Sequence, residues 1–221
     1  MSSPQLPRLL VLTSTYPRWS GDPEPGFVHE LSKRLTSYFE VTVLAPHAAG
    51  AMVRETLDGV RVCRFRYAPA SLETLVNAGG MVTNLKRQPW KWLLVPAFLL
   101  AQLYAVWRML RHNRPDVIHA HWLIPQGLQV TILSGLIRDM PPFVVTSHGA
   151  DLYALRGAMA GDLKRRVARS CVAMTVVSNA MIDEARKQRL NAPRIEVLPM
   201  GVDMQQRFVP GDDRARAADE L

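Results

Sequence analysis

The chain has 221 residues, 48% of them hydrophobic, with 27 Lys and Arg against 19 Asp and Glu and a formal net charge of +8. That length and apolar content can bury a real core, and two cysteines, Cys63 and Cys171, far apart in apolar runs, read as reduced thiols and exclude a disulfide scaffold. The charge calls for an anionic partner: nucleic acid, anionic lipid or a phosphorylated substrate.

Residues 1–7 carry no charged n-region and no apolar h-region, so no secretory signal is read and the cytoplasm is expected. Residues 8–14 (RLLVLTS) form the first predicted strand, followed by a Pro/Gly-rich loop over 15–26. Apolar residues at Phe27, Val28, Leu31, Leu35 and Tyr38 give a helix over 27–38. Residues 41–45 (VTVLA) are a second strand, and 59–67 alternate apolar and basic residues as a half-exposed one. Residues 71–88 are weakly patterned and expected to be mobile. A long helix over 90–112 follows, then strands at 116–121, 143–147, 172–177 and 194–198 separated by helices at 124–138, 158–169 and 179–190. This alternation predicts an α/β, Rossmann-like, mainly parallel sheet with helices on both faces. The stretch 205–221, rich in Arg, Asp and Ala, reads as a linker or the start of another unit.

Polar clusters close four of the later apolar runs: His119-Ala120-His121-Trp122, Ser147-His148-Gly149-Ala150-Asp151, Ser178-Asn179 and Gly201-Val202-Asp203. Open parallel sheets bind ligands at the carboxyl ends of their strands, so these residues mark the expected site. His119 and His121, two apart on a strand, point to one face. They lack a third ligand at metal-site spacing, so His121 is expected to line a substrate cleft and His119 to pack in the sheet. Ser147 and His148 are neighbours whose side chains leave an extended chain in opposite directions, which rejects a hydrolase triad. His148 is expected at a strand tip as a hydrogen-bonding group. The first loop lacks the G-x-G-x-x-G of a dinucleotide fold, although Gly26 still opens a helix whose N-terminus attracts phosphate oxygens.

No carboxylate occurs between Glu73 and Asp116, an interval that holds Lys86, Arg87, Trp90, Lys91, Trp92, Arg108 and Arg111. For the helix inside it three readings compete: a buried helix of the fold, a helix lying on a membrane surface, and a spanning helix that would break the α/β alternation. The basic residues adjoin an apolar helix rather than a recognition motif, so a nucleic-acid partner is not expected.

Taken in order, P-G-F-V-x-E-L (25–31), D-V-I-H-A-H (116–121), T-S-H-G-A-D (146–151), V-V-S-N (176–179) and P-M-G-V-D (199–203) resemble the N-terminal half of a family 4 glycosyltransferase of the GT-B fold. The resemblance implies an acceptor-binding Rossmann-like domain over 1–204. It implies a nucleotide-sugar donor held mainly by a second, C-terminal domain, retention of anomeric configuration, and no bound metal or other cofactor. It places Gly26 and Phe27 in a loop that approaches the donor diphosphate, and His148 against the transferred sugar. It also puts Gly149, Asp151, Tyr153, Ser178 and Asn179 at the cleft, and Gly201 and Asp203 in the turn toward the second domain. Pro25-Gly26-Phe27 departs from the paired glycines of many relatives. The acceptor implied is lipid-linked or a polysaccharide precursor, met at the inner face of the cell membrane, with Lys86, Arg87, Trp90, Lys91, Trp92, Arg108 and Arg111 docking on anionic lipid. The competing class is a non-catalytic acceptor- or membrane-binding module of a split transferase.

Overall fold

A computed structural model describes residues 5–201, apart from 23, 25 and 78. Asp203 and the predicted linker over 205–221 lie outside the described residues. Eight strands form one sheet: β1 (Arg8–Leu12), β2 (Glu40–Pro46), β3 (Arg54–Leu57), β4 (Val60–Phe65), β5 (Val117–His121), β6 (Phe143–Ser147), β7 (Ala173–Val176) and β8 (Ile195–Val197). Their spatial order is β3-β4-β2-β1-β5-β6-β7-β8. Every neighbouring pair is parallel except β3 with β4.

The helices are α1 (Phe27–Leu35), α2 (Gly80–Arg87), α3 (Leu94–Asn113), α4 (Leu128–Ser134), α5 (Ala158–Ser170) and α6 (Asn179–Lys187). Alternate residues of β1 enter different cores, as the two-residue period of a strand requires. Leu9 and Val11 pack with Val41, Val43 and α1's Val28, whereas Leu10 and Leu12 pack with Phe98, Val106 and Leu110 of α3. Helices therefore cover both faces. Beyond β1 the α1 side of the sheet turns polar, where His119 bonds Thr146 at 2.7 Å and Thr146 bonds Thr175 at 2.6 Å.

Two elements differ from the sequence reading. The edge strand β3 was not expected, because its four residues, Arg-Glu-Thr-Leu, are half exposed and carry no apolar face. Its signal was the Asp58-Gly59 pair, both with positive φ (47° and 81°), the residues a tight hairpin demands. The stretch expected to be mobile contains α2. Its anchor is polar: the Asn84 amide donates to the carbonyls of Leu75 (3.2 Å), Asn77 (2.6 Å) and Gly80 (3.1 Å), which hydropathy cannot reveal.

The long helix is part core and part surface. The segment Pro89–Asn113 is long and apolar enough to cross a membrane by length and composition. Yet Phe98, Gln102, Val106 and Leu110 are buried in the domain, and Leu93, Leu100, Tyr104 and Trp107 on the far side are exposed.

Candidate functional site at the carboxyl ends of the parallel strands

After β1 the chain moves outward to β2 and β4, then returns on β1's other side as β5. This reversal leaves a crevice at the carboxyl ends of β1 and β5, the position where open α/β sheets bind ligands. A cavity of about 800 Å³ lies there, lined at the strand tips by Ser14, Thr15, Phe27, Trp122 and His148. Its other wall is apolar and comes from α2, the turn over Pro89–Leu93 and the start of α3: Met81, Val82, Leu85, Trp92, Val95 and Leu99.

His148 follows β6 and faces this space from the tip of that strand. The rings of Phe27 and Trp122 lie 4.9 Å from its ring, centroid to centroid. Its Nε2 lies 2.9 Å from Nδ1 of His121, a hydrogen bond in which one neutral ring donates and the other accepts. Burial holds His148 down to about 4, with a smaller push from His119. Burial alone brings His119 to about 4, and burial lowers His121 well below the usual histidine value, aided by His119 and His148. The three imidazoles are therefore uncharged at neutral pH.

The turns that carry these side chains are built by backbone conformation and by one carboxylate. Gly149 has φ +100°, where a side chain would be strained. Trp122 adopts φ 77° with ψ 136°, rare for an aromatic residue, and such outliers persist only where surroundings enforce them. Asp151 supplies that enforcement. One carboxylate oxygen accepts from the Leu123 N–H at 2.6 Å and the other from the Ser147 hydroxyl at 2.8 Å. It ties the turn after β5 to the turn after β6.

One expected cleft residue, His121, lies beneath the cleft instead, while Asp151 lines the cavity with its carboxylate already engaged. Asp151 is 2% exposed with both oxygens engaged, and His121 is fully buried behind His148. Their place is to position. Tyr153 is exposed, its hydroxyl 3.4 Å from the Ala180 carbonyl. Ser178 and Asn179 open α6 at the same end of the sheet, both exposed. Gly201 is exposed at the last described position. Gly26 begins α1, and Phe27's contact with His148 turns that helix start toward the crevice. The helix is held there by Tyr16, whose hydroxyl meets Nδ1 of His29 at 2.7 Å, while Nε2 of His29 meets Asp58 at 2.9 Å.

Of the residues expected to face a membrane, Lys86, Arg87, Trp90, Trp92, Arg108 and Arg111 are exposed, with Trp92 also walling the cavity. Lys91 is the correction: it is 4% exposed, and its ammonium donates to the Thr74 carbonyl at 2.8 Å and to Asn84 Oδ1 at 3.3 Å. A lysine inside a basic run looks like its neighbours in sequence, but the turn over Pro89–Leu93 points this one inward.

Sequence reasoning passed over a set of buried amides and one buried lysine. With its oxygen toward donors, Gln126 accepts from the Ser14 hydroxyl (2.5 Å) and Gln102 Nε2 (3.1 Å) and donates to the His121 carbonyl (2.9 Å). This connects α3 to the tips of β1 and β5. Lys164 of α5 donates to the carbonyls of Leu152 (3.1 Å) and Leu155 (2.9 Å), fastening the loop after β6. Neither carries a sequence signal, since Gln and Lys at helical polar positions are usually solvated. Among the described residues no group of three or more His, Cys, Asp or Glu converges as a metal site.

The model of Glycosyltransferase Family 4 matches residues 27–206. A putative teichuronic acid biosynthesis glycosyltransferase, TuaC, from Bacillus subtilis is 32% identical over 92 residues, 41% of this chain and 23% of that protein. The matched part therefore spans about a quarter of that relative. In fold, the chain is similar to a sucrose-phosphate synthase from Thermosynechococcus elongatus, with a TM-score of 0.57 and 11% identity over 96% of both chains. It is also similar to the N-terminal domain of the Candida albicans trehalose-6-phosphate phosphatase, with a TM-score of 0.55 and 12% identity over all of this chain and 56% of that one.

Proposed function

The chain belongs to glycosyltransferase family 4, and from that premise we propose that it forms the acceptor side of a retaining, nucleotide-sugar-dependent transferase. Residues 1–204 are the acceptor domain, and 205–221 begin the connection to a donor-binding domain. The acceptor is a lipid-linked or polysaccharide-precursor saccharide, a choice supported by the biosynthetic role in TuaC's name. No metal or other cofactor takes part.

The observation that carries the proposal is the placement of His148. It stands at the tip of β6, in the cavity at the point where strand order reverses, inside a chain that matches the family over 27–206. Transfer separates a nucleoside diphosphate from a sugar, and the departing charge needs donors and helix N-termini fixed in advance. The start of α1 at Gly26 and Phe27 faces that charge. Neutral His148 hydrogen-bonds the transferred sugar without competing as a second cation for the diphosphate. Its ring is fixed from behind by His121, and Phe27 and Trp122 keep water from its faces. Gly149, Asp151 and Tyr153 shape that turn. Ser178 and Asn179 present hydroxyl and amide groups to the acceptor, and Gly201 leads the chain toward the second domain. Domain closure then excludes the water that would hydrolyse the donor.

Because half a cleft cannot close, the 221-residue chain alone transfers no sugar. The enzyme works on the cytoplasmic face of the membrane as a peripheral protein, docked through the exposed side of α3. The test is turnover of a panel of nucleotide sugars, by the chain alone and joined to a donor-binding domain. Transfer by the joined protein only is expected. Turnover by the chain alone overturns the division of labour, and binding of acceptor without turnover in either form would leave a non-catalytic module.

A further inference from the structure

A second cavity, about 930 Å³, lies away from the strand tips between the β3–β4 hairpin and the C-terminal half of α3. Its wall carries Arg54, Arg61, Arg66, Arg108 and His112, with Tyr104 at its edge. The carboxylate in that wall, Glu55, is already engaged by buried Arg64. Arg61 is held by Glu40 at 2.7 Å and Arg66 more loosely by Glu73 at 3.4 Å. Among the described residues Arg54 and Arg108 have no ion-pair partner, and both are exposed. The groove is a concave surface with uncompensated positive charge. Cys63 in its wall feels this: burial raises its thiol, and Arg54, Arg61, Arg108 and Arg64 each pull it back down.

The groove does not stand alone. Leu93, Ala97, Leu100, Tyr104, Trp107 and Arg111 recur at three- and four-residue steps, so they form one stripe along α3. Leu93 is 81%, Leu100 67% and Tyr104 59% exposed, an apolar face that the described residues leave uncovered. From Leu93 to Arg111 the stripe runs roughly 27 Å. Tyr104 stacks on Trp107 at 5.8 Å, and the Arg111 guanidinium sits 5.9 Å from the Trp107 ring. Tyr104 and Arg108 lie on the border between stripe and groove, so apolar surface and positive groove present themselves to one side.

We propose that this groove binds the phosphate-bearing headgroup of an anionic bilayer lipid while the α3 stripe beside it lies in the interface. The pairing of surfaces favours a lipid over a soluble phosphate: a free anion has no use for the apolar stripe, and an apolar partner has no use for unpaired guanidinium groups. A headgroup anchored next to a half-inserted helix supplies both the electrostatic and the apolar part of interfacial binding. The site is separate from the crevice holding His148, so lipid there holds the enzyme without occupying the acceptor site. The inference rests on the peripheral-membrane part of the proposed function.

Flotation tests it, using vesicles of phosphatidylcholine alone and of phosphatidylcholine with phosphatidylglycerol. The native chain is expected to float strongly with the anionic vesicles and weakly with the neutral ones. The double variant Arg54→Gln/Arg108→Gln should lose roughly thirtyfold in affinity for anionic vesicles, about fivefold per basic residue, and nothing for neutral ones. A control, Arg138→Gln/Arg186→Gln, removes equal charge elsewhere on the surface and should lose far less. Equal losses in the two variants, or equal flotation of the native chain with both vesicles, overturn the groove. The second of these readouts needs no variant to fold. Saturable binding of inorganic phosphate, as tight as the vesicle binding, would assign the groove to a soluble anion instead. If the native chain floats with neither vesicle, the membrane part of the proposal fails and this inference with it. The transferase reading would still stand or fall on sugar transfer.

Discussion

The tips of β5 and β6 and the outer side of α3 prepare for a charged partner by opposite means. At the tips, His119, His121 and His148 are neutral by burial and the Asp151 carboxylate has both oxygens occupied. Charge is kept out, and orientation is over-determined. On the α3 side, Arg54 of β3 and Arg108 of α3 have no counter-ion among the described residues and lie beside exposed Leu100 and Tyr104. A reacting centre gains from fixed dipoles in a dry place, because they need no rearrangement as charge develops. A docking surface gains from net charge, which acts at long range and tolerates water. Salt should separate the two: raised ionic strength weakens exposed attraction and leaves buried hydrogen bonds nearly untouched.

The sharpest way to break the comparison is to remove the group at the tip. His148→Ala, assayed in an enzyme that includes the donor-binding half, is expected to lose roughly a hundredfold in kcat, the usual cost of deleting a fixed donor beside developing charge. Vesicle flotation should not change. Undiminished kcat would remove His148 from the reacting centre.

Asp151→Ala comes next. It leaves the Leu123 N–H and the Ser147 hydroxyl buried without their acceptor, at a cost of about 3 kcal/mol in unfolding free energy. Denaturant unfolding measures this, and a loss no larger than at a surface aspartate such as Asp183 would mean that the two turns hold themselves.

The pH profile tests the same region with no mutation. His119 and His148 titrate near 4 when folded and near 6.5 when unfolded. Between those values the unfolded chain takes up protons that the folded chain refuses, so acid favours unfolding. The stability these histidines allow is fully present above 6.5 and drains as pH falls toward 4. Burial raises Asp151, which acts in the opposite sense and offsets part of the loss at the acid end. Melting temperature should fall by roughly 4 °C between about pH 6.5 and 5.5. A flat profile would mean that water reaches these rings.

The parallel sheet was legible because β1, β2 and β5 to β8 are short apolar runs, and burial on both faces demands that pattern. The location of the site was legible for the same reason: polar clusters can only follow such runs, at their carboxyl ends. The roles inside the clusters were not. His121 and His148 look equivalent in sequence, yet two residues of strand put one wholly inside while the other faces the crevice. Asp151 does line the cavity, but its carboxylate is taken up by the Leu123 N–H and the Ser147 hydroxyl, which the sequence does not show. The amides of Gln102 and Gln126 are invisible beforehand because their partners come from elements far apart in the chain.

Lys91 is the smallest test and the one that separates the two regions most cleanly. By sequence it belongs to the basic run with Lys86 and Arg87, and a charge count would give it an equal share of any attraction to anionic lipid. By position it does not. Its ammonium fills the space between the Thr74 carbonyl and Asn84, and Asn84 in turn holds α2 against the loop before it. Lys91→Ala should therefore cost about 1.5 kcal/mol in unfolding free energy by orphaning those acceptors, while anionic-vesicle flotation stays near native. Lys86→Ala should do the reverse, with stability unchanged and flotation weakened about fivefold. If both variants weaken flotation equally, net charge in the sequence governs docking and the placement of side chains does not. If only Lys86→Ala does so, the surface is read charge by charge, and the α3 side of the domain is as specifically built as the strand tips.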